Sequence, residues 1–129
     1  MNMNAERFRE FCLSKAMAEE DFPFDEEVLA FRVNGKIFAL TAVSEHPGSC
    51  NLKCDPEKAV QLRERYPAIT PGFHMNKKHW NTVEWDGSIS DLFIFELVDH
   101  SYELVANRHT VNKKPAMKKA ARNGRNKKP

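Results

Sequence analysis

Apolar positions along this chain follow two different periods. After Asn4, the residues Phe8, Phe11 and Cys12 return at helical spacing, with Lys15 continuing the row. This predicts a first helix over about residues 5–17, capped by Asn4, with Phe8, Phe11 and Cys12 as its buried stripe. Residues 28–33 and 36–41 alternate instead, as half-buried strands do. Leu29, Phe31 and Val33 share one face of the first. On the second, either Ile37 with Ala39 or Phe38 with Leu40 faces the core. Asn34-Gly35 between them is the preferred pair for a type I′ turn, so the two strands form a hairpin with Arg32, Asn34 and Lys36 at its tip. Residues 49–53 make a third strand, with Cys50 and Leu52 on one side and Asn51 and Lys53 on the other.

Asp55-Pro56-Glu57 opens a second helix. Asp55 caps free N–H groups, Pro56 fits the first helical position, and Glu57 sits in the positive first turn. Ala59, Leu62, Arg63 and Tyr66 run along this helix until Pro67 ends it, and it is expected to cover one face of the sheet. Residues 80–85 alternate as a fourth strand, with Trp80, Thr82 and Glu84 on one face and Asn81, Val83 and Trp85 on the other. After an Asp86-Gly87 turn, Ser88 or Ser90 caps a last helix from about 91 to 107. Its stripe is Leu92, Phe95, Val98 and Tyr102, widened by Leu97, Leu104 and Val105. Residues 18–27, acidic and broken by Pro23, read as a loop. The predicted order is α-β-β-β-α-β-α, an α+β fold of two layers in which helices pack on an antiparallel sheet.

Composition narrows the class. The 129 residues suit one domain with a real core. With 41% hydrophobic and 29% charged residues the chain is ordinary globular material. No apolar run approaches the roughly 20 residues of a membrane span. The start of the sequence lacks the basic and apolar regions of a secretory signal. Cys12, Cys50 and Cys54 are too few, and odd in number, for a disulfide framework. A soluble cytoplasmic protein with no membrane contact is expected. The net charge of +2 conceals a split: residues 1–107 hold 11 Lys and Arg against all 18 Asp and Glu, a net of −7. Residues 108–129 hold the other 9 basic residues and no acid. A folded domain over 1–107 and a solvated, disordered basic arm over 108–129 follow, the arm either touching a polyanion or simply solubilising.

The most site-like stretch is residues 71–83, which collects His74, Asn76, Lys77, Lys78, His79 and Trp80 between a helix and a strand. Trp80 is expected to anchor this loop on the core rather than to stack on a base. Cys50 and Cys54 with His46 nearby invite zinc, but a structural site wants four ligands in two close pairs and no second pair exists. Cys12 reads as a small buried hydrophobe. The carboxylates of 19–27 lack the order of a calcium loop. Asp99, His100 and Ser101 are the residue types of a hydrolytic triad, yet consecutive helix residues diverge by about 100° while a triad must converge. There is no Gly-rich phosphate loop, nucleophile elbow or paired catalytic carboxylate. Neither catalysis, a metal nor a cofactor is expected.

Several segments together resemble the MmcQ/YjbR family: Gly35–Ala39, Leu52–Glu57 leading into Leu62-Arg63, Pro71–Trp80, Asp86–Asp91 and Asp99–Val105. They occur in the family's order over about residues 5–107. The resemblance implies a frataxin-like (CyaY-like) fold in a small cytoplasmic bacterial protein. It also implies DNA binding through a "double wing" of hairpins beside a helix. The Asn34-Gly35 hairpin supplies one wing, and the surroundings of Lys77 and Lys78 a possible second.

Two functions follow as expectations. In the first, Lys36, Lys53, Lys77, Lys78 and the tail residues Lys113, Lys114, Lys118 and Lys119 contact nucleic-acid phosphates, while Asn76 and His79 add hydrogen bonds. The acidic domain weighs against it, because compact DNA readers present a basic face. In the second, the domain is a protein-interaction or small-ligand module on a frataxin-like sheet, without catalysis. A lysine patch free of carboxylates would favour the first, and interspersed signs the second. A monomer is the expected state.

Overall fold

The computed structural model describes residues 3–45, 47–72 and 76–113, with side chains to residue 107. In chain order the elements are α1 (Ala5–Leu13), β1 (Glu19–Asp21), β2 (Val28–Val33), β3 (Lys36–Ala42), β4 (Ser49–Lys53), α2 (Pro56–Arg65), β5 (Ile69–Pro71), β6 (Trp80–Glu84) and α3 (Asp91–Lys113). The strands form one antiparallel sheet in the order β1-β2-β3-β4-β6-β5. The helices share a core on one face of it. Phe8 and Cys12 of α1, Ala59 and Leu62 of α2, and Ile94, Leu97, Val98 and Val105 of α3 meet Leu29, Phe31, Ala39, Cys50, Leu52, Ile69 and Val83 from the strands.

The α+β class stands, but the predicted order is short by two strands. β1 lies inside the stretch read as an acidic loop. Two of its three carboxylates are matched by arginines: Arg9 donates to Glu20 at 2.5 and 2.7 Å, and Arg32 to Asp21 at 3.1 Å. Charged side chains are a common guard on an edge strand, and they hide it from a hydrophobicity reading. β5 was hidden by its length and by Pro71, which an edge strand tolerates because no ladder N–H is needed there. α1 stops at Leu13 rather than about 17; the chain then turns, with Met17 at a positive φ of 63°. α3 continues to Lys113, past the predicted end near 107. Leu92, assigned to its buried stripe, is 74% exposed, because the stripe runs through Ile94, Leu97, Val98, Ser101 and Val105 instead. Of the two cap candidates for α3, Ser90 accepts the N–H of Phe93.

The open choice on β3 resolves through a bulge. Phe31 pairs with Ala39 and Arg32 with Ile37, so Phe38 is an extra residue. Phe38 and Ala39 are both fully buried in the core. Phe38 meets Tyr102 of α3 edge-on at 5.3 Å. The bulge also takes the Phe38 carbonyl out of regular pairing, and α3 supplies its donor. The buried Ser101 hydroxyl donates to Phe38 O at 2.5 Å and accepts from Lys53 N at 2.9 Å, joining β3 to β4 beyond their last paired residues.

The neighbours of Ser101 tie two further segments, the chain just after α1 and the start of α2. Asp99 pairs with Lys15 after α1. His100 Nε2 accepts the N–H of Asp55, the N-cap of α2, at 3.2 Å. The Tyr102 hydroxyl donates to Ala16 O at 2.5 Å. The four residues diverge around the helix, and each is occupied with holding the fold.

Ser101→Ala should cost about 1–3 kcal/mol for each buried group left without its partner, the Phe38 carbonyl and the Lys53 N–H. Urea unfolding checks this, and an unchanged midpoint would mean the hydroxyl is not shared as described. His100 gives a pH signature. Burial first, then the charge of Lys58, pushes it down to about 4. The unfolded chain protonates near 6.5. Below that pH the unfolded state holds the extra proton, so the stability from neutral His100 is complete above about pH 6.5 and lost as pH falls toward 4. Urea midpoints measured from pH 7 to pH 5 should fall more steeply for the parent than for His100→Gln; parallel curves would contradict this.

Candidate nucleic-acid interface

Strand directions bring three separate segments to one end of the sheet. β3 begins there, β4 ends there, and β6 begins there, as the pairings of Ala39 with Leu52 and of Lys53 with Trp80 fix. The end therefore carries Lys36 after the hairpin turn, Lys53 at the close of β4, and Asn76, Lys77, Lys78 and His79 ahead of β6. Asn34 and Gly35 both take the positive φ of a type I′ turn, 55° and 77°. β5 and β6 pair antiparallel, so Gly72 and residues 76–79 of the loop between them lie at the same end.

That second loop is held from several sides. Asn76 O accepts from His79 N and Trp80 N, and Asn76 Oδ1 accepts from Lys78 N at 2.9 Å. Gly72 N donates to Trp80 O at 2.8 Å. A Cβ on Gly72 would stand 3.1 Å from the Cβ of Trp80, a tight contact that would push the two apart by a few tenths of an ångström. Cys54 N donates to His79 O at 2.7 Å, fastening the loop to β4. From α2, Arg63 donates Nε to Asn81 Oδ1 and Nη2 to Lys77 O, both at 2.7 Å. Sequence reasoning assigned Arg63 no role here; its signal would have been a basic residue facing a strand Asn, which no periodicity reveals.

Trp80 is only 8% exposed, as a structural residue should be, but not on the expected side. β6 sends Asn81, Val83 and Trp85 toward the helices, so Trp80 lies on the opposite face with Leu40, outside the main core. Of the predicted contacts, Lys36, Asn76, Lys77 and Lys78 are exposed, and Lys53 and His79 are half-buried. Lys113 is the last residue of α3, and its side chain lies outside the described residues. His74, Lys114, Lys118 and Lys119, with the rest of the tail, also lie outside them. Asp55 and Glu57 stand beside the lysines at the start of α2, so the signs are interspersed at that point. The Asp55 carboxylate is turned to Lys58 N at 3.2 Å.

The opposite end of the sheet is different. Segments 22–27, 43–48 and 84–90 contain Asp25, Glu26, Glu27, Glu45, Glu84 and Asp86 and no Lys or Arg. The net −7 of the domain is thus concentrated away from the lysine end. α3 places Ser101 beside Lys53, so its later turns, and the chain leading into the basic tail, leave from the lysine end.

Burial pushes the thiols up: Cys12 strongly, Cys50 to about 12 and Cys54 to about 11. Thiols held in that form are poor nucleophiles and ligands. Among the described residues no three His, Cys, Asp or Glu gather as metal ligands, and His46 lies outside them. No described helix is long and apolar enough to cross a membrane. Between Cys54, Asn81 and His100 lies an apolar cavity of about 10 Å³, room for one water. Asn81 Nδ2, buried there, has no protein partner.

Comparison with known proteins agrees with this architecture. A family model described as YjbR matches residues 13–104. The uncharacterized protein YbdF of Escherichia coli O157:H7 is 36% identical over 102 residues, covering 79% of this chain and 84% of that protein. The uncharacterized protein YjbR of Escherichia coli K12 is 34% identical over 105 residues, covering 81% and 89%. Among solved structures, Deinococcus radiodurans DR2400, with a domain described as DUF419, superposes with a TM-score of 0.79 at 34% identity, covering 94% of each chain. A Pseudomonas syringae protein gives 0.69 at 29% identity, covering 80% of this chain and 99% of the other. With the matched segment spanning most of the folded domain, and relatives of this identity covered nearly end to end, the chain belongs to the MmcQ/YjbR family.

Proposed function

We propose that this protein is a non-catalytic, cytoplasmic nucleic-acid-binding protein that grips the phosphate backbone with its lysine end. The single observation behind the reading is convergence. Lys36, Lys53 and the Lys77-Lys78 pair come from three distant parts of the sequence and meet at one end of the sheet, while the acidic segments gather at the other. Two hairpin loops project at that end, which suits the double-wing arrangement, and the placement of all three helices on one sheet face suits the CyaY-like assignment. The lysines are cations on ordered backbone, so they orient the nucleic acid; base reading is minor, because Trp80 and Asn81 are buried and the Asn76 carbonyl oxygen is already engaged. The tail after Arg108 adds charge without sequence preference.

A protein-interaction role is favoured by a different observation, the carboxylates of Asp55 and Glu57 among the lysines. Fluorescence anisotropy with labelled duplex DNA over a series of salt concentrations separates the two. The full chain should bind at low salt with affinity falling linearly in log salt, at about 0.9 per phosphate contact. Deleting residues 110–129 should flatten that slope strongly, and Lys77→Ala/Lys78→Ala should change it by at most about two contacts' worth. No binding by the full chain at low salt defeats the proposal. Binding lost wholly on truncation and untouched by the double substitution would show that the folded domain is not the reader.

A further inference from the structure

Two exposed features sit at opposite edges of the sheet and complement one another. At the β1 edge, the loop after Asp21 presents Phe22, 50% exposed, and Phe24, 65% exposed, around Pro23 and followed by Asp25, Glu26 and Glu27. Exposed phenylalanines so close together are unusual on a protein surface and mark contact sites. At the β5 edge, α2 and α3 leave a groove of about 560 Å³ lined by Lys58, Leu62, Glu64, Arg65, Tyr66 and Phe93. Tyr66 and Phe93 form its aromatic floor, with ring centroids 5.3 Å apart, and the Arg65 guanidinium lies 5.9 Å from the Tyr66 ring. Leu92, exposed on α3, adjoins Phe93 in sequence.

We propose that this groove receives the Phe22-Pro23-Phe24-Asp25-Glu26 loop of a second copy of the chain. The aromatic floor takes the phenyl rings, and Lys58 and Arg65, two cations against the single carboxylate of Glu64 in the lining, face the loop's carboxylates, a sign pattern that steers and registers an encounter. Pro23 restricts the loop beforehand, which lowers the ordering cost of docking. The contact is between molecules, since the sheet order puts the loop and the groove at opposite edges, roughly five strand spacings or 24 Å apart. It replaces the monomer expected from sequence. It uses none of Lys36, Lys53, Lys77 and Lys78; of the groove residues only Lys58, in the first turn of α2, adjoins that end.

Sedimentation equilibrium over a concentration series tests this, with circular dichroism confirming that each variant is folded. The parent should rise toward at least twice the monomer mass. Reversing the groove (Lys58→Glu/Arg65→Glu), reversing the loop (Asp25→Lys/Glu26→Lys) or removing its rings (Phe22→Ser/Phe24→Ser) should each hold the mass at the monomer value. All these positions are at the surface. An equimolar mixture of the two charge-reversed proteins should regain association, because each reversed surface then meets its opposite and the two unaltered surfaces still match. A parent that stays monomeric at the highest concentration overturns the proposal. So does a reversed variant that associates like the parent, or a mixture that stays monomeric.

Discussion

Three consecutive backbone N–H groups, those of Lys53, Cys54 and Asp55, hold this structure together, each on a different acceptor. Lys53 is bound by the Ser101 hydroxyl, Cys54 by the carbonyl of His79, and Asp55 by the ring nitrogen of His100. This is where β4 ends and α2 begins, with Cys54 buried, Lys53 half-buried and Asp55 exposed, and the backbone donors of such a junction need partners from outside the ladder. Two of the acceptors come from one turn of α3, so the seating of that helix, the end of β4 and the start of α2 are fixed together. The third comes from the lysine-bearing loop, whose position follows from the same junction.

The consequence for function is a division of labour. Asp99, His100, Ser101 and Tyr102 carry the groups of hydrolytic chemistry, and every one is spent on another part of the backbone or on an ion pair. The buried thiols are similarly withdrawn. At the lysine end Lys36, Lys77 and Lys78 are exposed on short, tied loops, Asp55 and Glu57 stand beside them, and Arg63 braces the longer loop from beneath. In the proposed function these lysines are the cations that orient a phosphate backbone.

Much of this was legible in the sequence where local chemistry decides the outcome. The Asn34-Gly35 turn, the cap at Asp55 and the alternation of residues 49–53 each carry their own signal, and they stand as read. The two edge strands were not legible. Each is only three residues long, and one is made wholly of acids, two of which pair with arginines, Arg9 and Arg32, 11 residues away in sequence. The β3 bulge was invisible because it is set by the register against β2, a non-local property. For the site, the lysines could be named from the loop, but not their gathering at one end, which depends on strand order. Nor could Trp80 be placed on the face away from the helices, because the alternation of residues 80–85 does not say which face the helices cover.

The central claim, that residues 53–55 are the locked junction of the fold, is most directly tested by amide hydrogen exchange on the full chain. The account predicts that the N–H groups of Lys53, Cys54 and Asp55 exchange slowly and together, at the rate of the buried middle of α3, although the last two belong to no strand ladder or helix. Exchange of Cys54 and Asp55 as fast as that of the exposed residues 22–27 would contradict it, and would leave the lysine end without its anchor.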